Sequence, residues 1–177
     1  MSTATTTLRF KGRDDQEEVP VDRAEAERSI KTVADALCDD PEAETFPVML
    51  DSVSSDTLKI VARFVAVRAK MRSKGAAEQP INKVPADDED AKEIHQLIED
   101  CSRIDATTGR VNPAIFQLAT VADYLHYTDL LDVSCQRIAD LIKGKTPEDI
   151  RALFGIENDL SPEEERAIAE ENKWAFD

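Results

Sequence analysis

Two helix starts near the C-terminus most restrict how this chain folds. Thr146-Pro147-Glu148-Asp149 and Ser161-Pro162-Glu163-Glu164 each place a hydroxyl side chain at the N-cap, proline at the first helical position and an acidic residue three positions after the cap. Few apolar residues follow either start, and helices shorter than about 12–15 residues are marginal in water. Both helices are therefore expected to dock on another surface.

The segment before these starts predicts a longer helix with an unusually wide apolar surface. Two apolar stripes run along 130–142: Leu131, Cys135, Ile138 and Ile142 form one, and Leu130, Val133 and Leu141 form the other. One contact with a core needs only one such stripe. The second face of this helix therefore needs a partner.

The first half of the chain mixes short strands with helices. Alternating runs at 7–10 and 18–21 predict a β-hairpin, 24–37 predicts one amphipathic helix, 46–50 predicts a third strand, and Ser54-Ser55-Asp56 is expected to begin a further helix. Residues 73–90 carry prolines and the acidic run 87–90 and offer little to bury, which predicts an acidic flexible linker. Weak helical spacing returns at 94–101. With 5% aromatic and 33% charged residues, the composition favours an α/β (α+β) fold that is mostly helical.

The charge of the chain argues against two classes of partner. The 177 residues carry a formal net charge of −15, whereas binding to nucleic acid or anionic lipid depends on clustered Lys and Arg. A basic stretch from Lys59 to Lys74 is the alternative, but it has acidic flanks and no interleaved pattern of aromatic residues for base stacking. We expect no nucleic acid and no membrane among the partners.

Chemistry-bearing motifs are scarce. The sequence has no Walker, GxGxxG, HExxH or GxSxG motif. His95 and Glu99 have the one-turn spacing of metal ligands but lack further ligands, and His126 is better placed to cap a helix C-terminus. We expect no enzyme activity, no catalytic residue, no metal and no cofactor.

The cysteines and the N-terminus bear on the compartment. Cys38, Cys101 and Cys135 are an odd number without a short-spaced pair, which predicts a reducing environment. No signal-peptide pattern and no apolar run long enough to span a membrane are present. We expect a protein of the cytoplasm and nucleus.

Residues 119–174 contain several short runs of a specific pattern. They are Ala122-Asp123-Tyr124-Leu125, Leu130-Leu131-Asp132-Val133-Ser134-Cys135, the run Ile142 to Arg151, Asn158-Asp159-Leu160 and Glu171-Asn172-Lys173-Trp174. These runs resemble the Skp family, the F-box-binding adaptors of SCF cullin-RING ubiquitin ligases. The first two thirds match the family only in the order of elements, a BTB/POZ-type layout. The resemblance implies a non-enzymatic adaptor that bridges F-box substrate receptors to a cullin.

The same resemblance implies domain limits and two binding sites. Residues 1–72 and 91–143 would form the two parts of a BTB/POZ-type domain separated by the 73–90 linker, and 144–177 a Skp-type helical extension. The implied F-box-binding residues are Leu131, Val133, Cys135, Ile138, Ile142, Ile150, Leu153, Phe154, Ile156 and Trp174. Asp123 and Tyr124 occupy the Asn-Tyr position that in relatives contacts the cullin.

Several positions depart from the family pattern and mark a diverged member. Asp123 stands where Asn is usual, and Gly155, Glu157 and Ala175 replace the common Asn, Lys and Cys. Pro162 lies in a context resembling the site at which some protist members are hydroxylated on proline. The alternative function is a structural, self-assembling protein that keeps the apolar surface without the cullin, with a homodimer formed when no F-box is present.

Overall fold

A computed structural model describes residues 7–13, 17–51, 53–74, 81 and 88–175. Its sheet contains β1 (Thr7–Gly12), β2 (Glu18–Asp22) and β3 (Thr45–Val48) in the order β2-β1-β3. Strand β1 pairs antiparallel with β2, which confirms the predicted hairpin, and parallel with β3. Alternation along β1 buries Leu8 and Phe10, and the Phe10 ring lies 5.8 Å from that of Phe46 on β3.

The predicted helix over 24–37 is two helices, and the expectation of a continuous helix was wrong. Helix α1 spans Arg23–Ser29 and α2 spans Lys31–Asp39, with Ile30 in an extended conformation between them. Ile30, Val33 and Leu37 are all buried, so the apolar spacing continues across the break and conceals it. After the break, the Thr32 hydroxyl donates a 3.0 Å hydrogen bond to the carbonyl of Leu125 far along the chain.

The remaining elements are helical, as the sequence predicts. They are α3 (Ser55–Ser73), α4 (Glu89–Cys101), α5 (Ala114–Tyr124), α6 (Thr128–Ile142), α7 (Pro147–Phe154) and α8 (Pro162–Glu171), followed by a short 3-10 turn at Lys173–Ala175. Ser54 caps α3 by accepting from the Thr57 N–H, as expected for that polar run. The described part of the chain contains no helix long and apolar enough to cross a membrane.

Helix α3 is the centre of the core. Its buried face carries Leu58, Val61, Phe64 and Val65 and contacts the sheet as well as α4 and α5. The Phe64 ring meets the ring of Tyr127 edge-on, at 5.4 Å between centroids. The sheet, α3 and the later helices therefore share one hydrophobic core.

Most of the predicted linker over 73–90 lies outside the described residues. Residues 73, 74, 81 and 88–90 are described. Ile81 is only 2% exposed and belongs to the core, so this segment of little apolar content still buries one side chain. Asp88 caps α4 by accepting from the N–H groups of Asp90 and Ala91. The Asp90 carboxylate is buried and pairs with the ammonium groups of Lys70 and Lys74. The end of the acidic run thus begins a helix instead of forming a solvated loop.

The basic stretch of α3 is matched by acidic side chains. Lys59 pairs with Glu17 and Asp56, Arg63 with Glu93, Arg68 with Asp129, Arg72 with Glu25, and Lys70 and Lys74 with Asp90. These ion pairs explain why a chain of strongly negative charge concentrates cations on one helix. They do not leave the array of free cations that a phosphate backbone requires.

Candidate protein-interaction surfaces

Helix α6 has a buried face and a half-exposed apolar face, as its two stripes predict. Leu130, Ser134 and Leu141 are buried, and the Ser134 hydroxyl donates a 2.7 Å hydrogen bond to the carbonyl of Leu130. The residues that remain partly or fully open to solvent are Leu131, Val133, Cys135, Ile138 and Ile142. The stripe of Leu131, Cys135, Ile138 and Ile142 is therefore open in the isolated chain. Val133, predicted on the other stripe, is half-buried, whereas Leu130 and Leu141 of that stripe are buried.

Helix α7 docks on the core by its C-terminal end. The Thr146 hydroxyl accepts from the Asp149 N–H, and the Asp149 carboxylate accepts from the Thr146 N–H, which forms the predicted capping box. At the other end Leu153 is 6% exposed, and its carbonyl accepts a 2.9 Å hydrogen bond from the Val111 N–H. Leu153 therefore belongs to the core of the isolated chain, and its predicted contact with an F-box stays a prediction.

Phe154 is held by an aromatic neighbour that the sequence pattern did not reveal. Its ring meets that of Phe116 on α5 edge-on, with 5.2 Å between centroids. Phe154 remains half-buried, and Ile150 on the same helix is also partly open. Both side chains can be covered further by another molecule.

Helix α8 buries none of its residues, in contrast to α7. A capping box between Ser161 and Glu164 starts it, and Pro162 at the first helical position is exposed. Hydrogen bonds from the Ser161 N–H and hydroxyl hold the pKa of Glu164 below its usual range. Among the described residues, the expectation that this helix docks on another surface is therefore not met.

Large apolar side chains are exposed around α8. Trp174 is 77% exposed, Ile156 56% and Ile168 45%. Together with the open face of α6 and the ring of Phe154, they define what we call the C-terminal apolar surface. Large apolar side chains that stay exposed are candidates for a protein-interaction site.

A second surface lies at the end of α5. Asp123 is exposed, Tyr124 is half-buried, and the Tyr124 hydroxyl accepts a 3.4 Å hydrogen bond from the backbone N–H of Met49. Met49 is 55% exposed directly after β3, and sequence reasoning missed it because it read as part of that strand. Beyond α5, His126 has φ of +52° and places its ring Nδ1 3.2 Å from the Tyr124 carbonyl, which is the helix-ending position expected for it.

Two grooves lie among the described residues and border the candidate surfaces. One of about 690 Å³ lies between α4 and α6 and is lined by Ile98, Val133 and Arg137, among others. His95 borders it, with its Nδ1 2.7 Å from the carbonyl of Ala91 on its own helix. No group of three or more metal-ligating side chains occurs among the described residues.

The other groove, of about 680 Å³, lies between Phe154 and the loop that joins α4 to α5. Sequence reasoning identified a break in the helical pattern around Thr107-Thr108-Gly109, but not the contact of this loop with α7. A turn signal reports local geometry and carries no information about a neighbour so distant in the chain.

The cysteines remain free thiols. Cys38 and Cys135 are exposed and Cys101 is buried, and burial together with the nearby Asp100 raises the pKa of the Cys101 thiol.

A small α/β fold with open apolar surfaces defines a protein-interaction module, and the comparisons with known proteins identify which one. Residues 128–175 match the model of the Skp1 family, dimerisation domain. SKP1-like protein 20 of Oryza sativa subsp. japonica is 39% identical over 132 residues, which cover 73% of this chain and 74% of that relative. The chain belongs to the Skp1 family.

Other relatives share a shorter and more similar segment. SKP1-like protein 11 of Arabidopsis thaliana is 59% identical over 63 residues, and SKP1-like protein 1 of Oryza sativa subsp. japonica is 51% identical over 80 residues. These segments span 41% and 46% of the two relatives, so the chain matches less than half of their length. The family membership and the mostly helical α/β fold expected from the sequence are both confirmed.

Proposed function

We propose that this protein is the adaptor subunit of an SCF-type ubiquitin ligase and bridges F-box substrate receptors to a cullin scaffold. The observation that carries the proposal is the C-terminal apolar surface, where Trp174 and Ile156 are open to solvent within the segment that matches the family model. Such a surface is costly to leave in water and gains free energy when a partner covers it. The adaptor role requires binding and no catalytic chemistry, so we propose no enzyme activity.

The F-box would be held by the open stripe of α6 together with the last helices. In this arrangement Trp174, Ile156 and Phe154 are the anchors, because large apolar side chains in the centre of an interface contribute most to affinity. The half-buried or exposed α6 side chains would enlarge the interface with the F-box; they are Leu131, Val133, Cys135, Ile138 and Ile142. Leu153 supports the surface from the core of the isolated chain.

The cullin would contact the surface formed by Asp123, Tyr124 and the neighbouring Met49. The 3.4 Å hydrogen bond from the Met49 N–H to the Tyr124 hydroxyl connects the end of β3 with the end of α5. This surface belongs to elements other than α6 to α8. One molecule therefore has room for two different partners.

Reconstitution from purified components tests the adaptor role. The protein is mixed with an F-box domain and a cullin N-terminal domain, and the molar mass of each complex is measured by light scattering. We expect a ternary complex in which each partner binds without the other. Absence of any F-box complex at micromolar concentration would exclude the adaptor role.

A second candidate is a structural protein that self-assembles through the same surface. The exposed Trp174 favours it, since an uncovered apolar surface also supports a homodimer when no F-box is present. A stable dimer that F-box domains do not dissociate, together with no cullin binding, would favour this candidate over the adaptor.

Localisation and modification are further proposals. We place the protein in the cytoplasm and nucleus, because three cysteines without a short-spaced pair suit a reducing environment. Pro162 is exposed at the first position of α8, so a hydroxylating enzyme has access to it. The mass of the peptide 158–173 from native cells distinguishes a hydroxylated Pro162 from one with only its helix-starting role.

A further inference from the structure

The loop between α4 and α5 forms a hairpin with its own hydrogen bonds. Ile104 and Val111 form an antiparallel bridge, and the Asp105 N–H donates a 2.8 Å hydrogen bond to the carbonyl of Arg110. At the tip, the Asp105 carboxylate accepts from the N–H groups of Thr107 and Thr108 at 2.7 and 2.8 Å. We call residues 103–112 the α4–α5 hairpin.

The α4–α5 hairpin contacts α7 where that helix ends. The Val111 N–H donates its 2.9 Å hydrogen bond to the Leu153 carbonyl, which would otherwise be one of the unpaired carbonyls of the last helical turn. The Arg110 side chain lies against Gly155, where a Cβ atom would stand 2.9 Å from the Arg110 Nε. Gly155 has φ of +67°, so glycine serves both the left-handed helix end and the close approach of the guanidinium.

Residues 153–155 connect α7 to α8 and the final 3-10 turn. Helix α8 buries no residue. Its Glu165 accepts a 2.8 Å hydrogen bond from Asn158 in the preceding loop and pairs with Arg151 of α7 at 3.4 Å. The position of Ile156 and Trp174 relative to α6 therefore depends on how firmly the end of α7 is held. Along with the Phe116 ring, the α4–α5 hairpin holds that end.

We propose that Arg110 and Val111 are positioning residues that fix the end of α7 against the α4–α5 hairpin and so set the geometry of the last helices within the C-terminal apolar surface. The part of this inference that concerns a partner rests on the proposed F-box function, whereas the part that concerns α7 does not. The Arg110 side chain fills the space in which a Cβ atom of residue 155 would stand. It also limits rotation about the 153–155 junction without touching the partner.

Hydrogen exchange of the free protein tests directly whether Arg110 and Val111 hold the end of α7. Arg110→Ala removes the guanidinium. Gly109→Val strains the backbone at the tip, because Gly109 has φ of +69°, which valine rarely adopts. An added Cβ at Gly109 meets no atom within 4 Å, so the variant creates no clash there. Arg103→Ala is the matched control, since Arg103 lines the same groove but its ion pair is with Asp100. All the altered side chains are exposed, so the fold should persist.

We expect the amides of the last turn of α7 to exchange at least about fivefold faster in Arg110→Ala and Gly109→Val, with α5 unchanged and Arg103→Ala like wild type. Exchange rates within about twofold of wild type in both variants would overturn the proposal that the α4–α5 hairpin holds the end of α7.

A binding measurement then tests the consequence for a partner. The probe is a purified F-box domain that wild-type protein binds in calorimetry, and we expect Arg110→Ala to weaken it by at least about threefold through loss of preorganisation. Faster exchange with unchanged affinity would overturn the positioning role. If no F-box domain binds wild type, the proposed function fails, while the exchange experiment still decides whether the α4–α5 hairpin holds the end of α7.

Discussion

The guanidinium of Arg68 on α3 lies 2.6 Å from the carboxylate of Asp129 in the first turn of α6. The Arg68 side chain is 3% exposed and that of Asp129 26%, so the pair is largely removed from water. It attaches the helix that carries much of the C-terminal apolar surface to the helix at the centre of the core. A buried cation that loses its partner is costly, because its desolvation is no longer compensated.

We therefore expect Asp129→Asn to lower the free energy of unfolding by about 2–3 kcal/mol, measured by urea denaturation. Arg166→Ala is the control, since it breaks a fully surface-exposed pair with Glu163 and should change stability by less than about 0.5 kcal/mol. A loss no larger for Asp129→Asn than for Arg166→Ala would contradict the anchoring role.

The hydroxyl of Tyr127 predicts a change in the opposite direction. Tyr127 is 1% exposed, its ring contacts Phe64, and its hydroxyl has no hydrogen-bond partner among the described residues. Burial, its largest cause, and the nearby Asp129 raise the pKa of this phenol. Tyr127→Phe keeps the ring contact and removes an unpaired polar group, so we expect stability to be unchanged or higher by about 1 kcal/mol. A clear loss of thermal stability would show that the hydroxyl has a partner.

The carboxylate of Glu25 predicts how stability changes with pH. Burial raises the pKa of Glu25, but hydrogen bonds from Arg72 and Ser29 outweigh it and hold that pKa below its usual value of 4.5. A group whose pKa is lower in the folded state stabilises the fold above its unfolded pKa and loses that contribution as the pH falls through its folded pKa. We expect Glu25→Gln to be less stable than wild type at pH 7, with a gap that narrows once the pH falls below about 4.5. A gap that stays constant during acid titration would contradict the assignment.

The sequence predicts the local features of this protein and misses several that depend on distant neighbours. The capping boxes at Thr146 and Ser161 and the hairpin of β1 and β2 follow from residues adjacent in the chain. The break at Ile30 was missed because a buried isoleucine continues the helical spacing.

The candidate surfaces show the same division. The open stripe of α6 was predictable from its width. The Phe154–Phe116 contact, the Val111–Leu153 hydrogen bond and the exposed Met49 beside Tyr124 depend on the folded arrangement, which local patterns do not encode.

Trp174 and Phe154 allow the proposed F-box site to be separated from stability. Trp174 is 77% exposed, so Trp174→Ala should leave stability unchanged and weaken an F-box domain by about 2–4 kcal/mol in calorimetry. Phe154→Ala should weaken binding and also lower stability, by about 2 kcal/mol, because its ring packs on Phe116. Unchanged affinity in both variants would exclude this surface as the F-box site.

The proposed cullin surface is tested at Tyr124 and Asp123. Tyr124→Ala removes the ring and the 3.4 Å hydrogen bond to Met49, so we expect loss of cullin binding with F-box capture unchanged, measured by light scattering of the reconstituted complex. Tyr124→Phe is the matched variant, since it removes the hydrogen bond alone and should keep part of the affinity. Asp123→Asn removes an exposed negative charge from this surface, and we expect it to tighten cullin binding. Equal affinity of wild type and all of these variants for the cullin would place its contact elsewhere on the molecule.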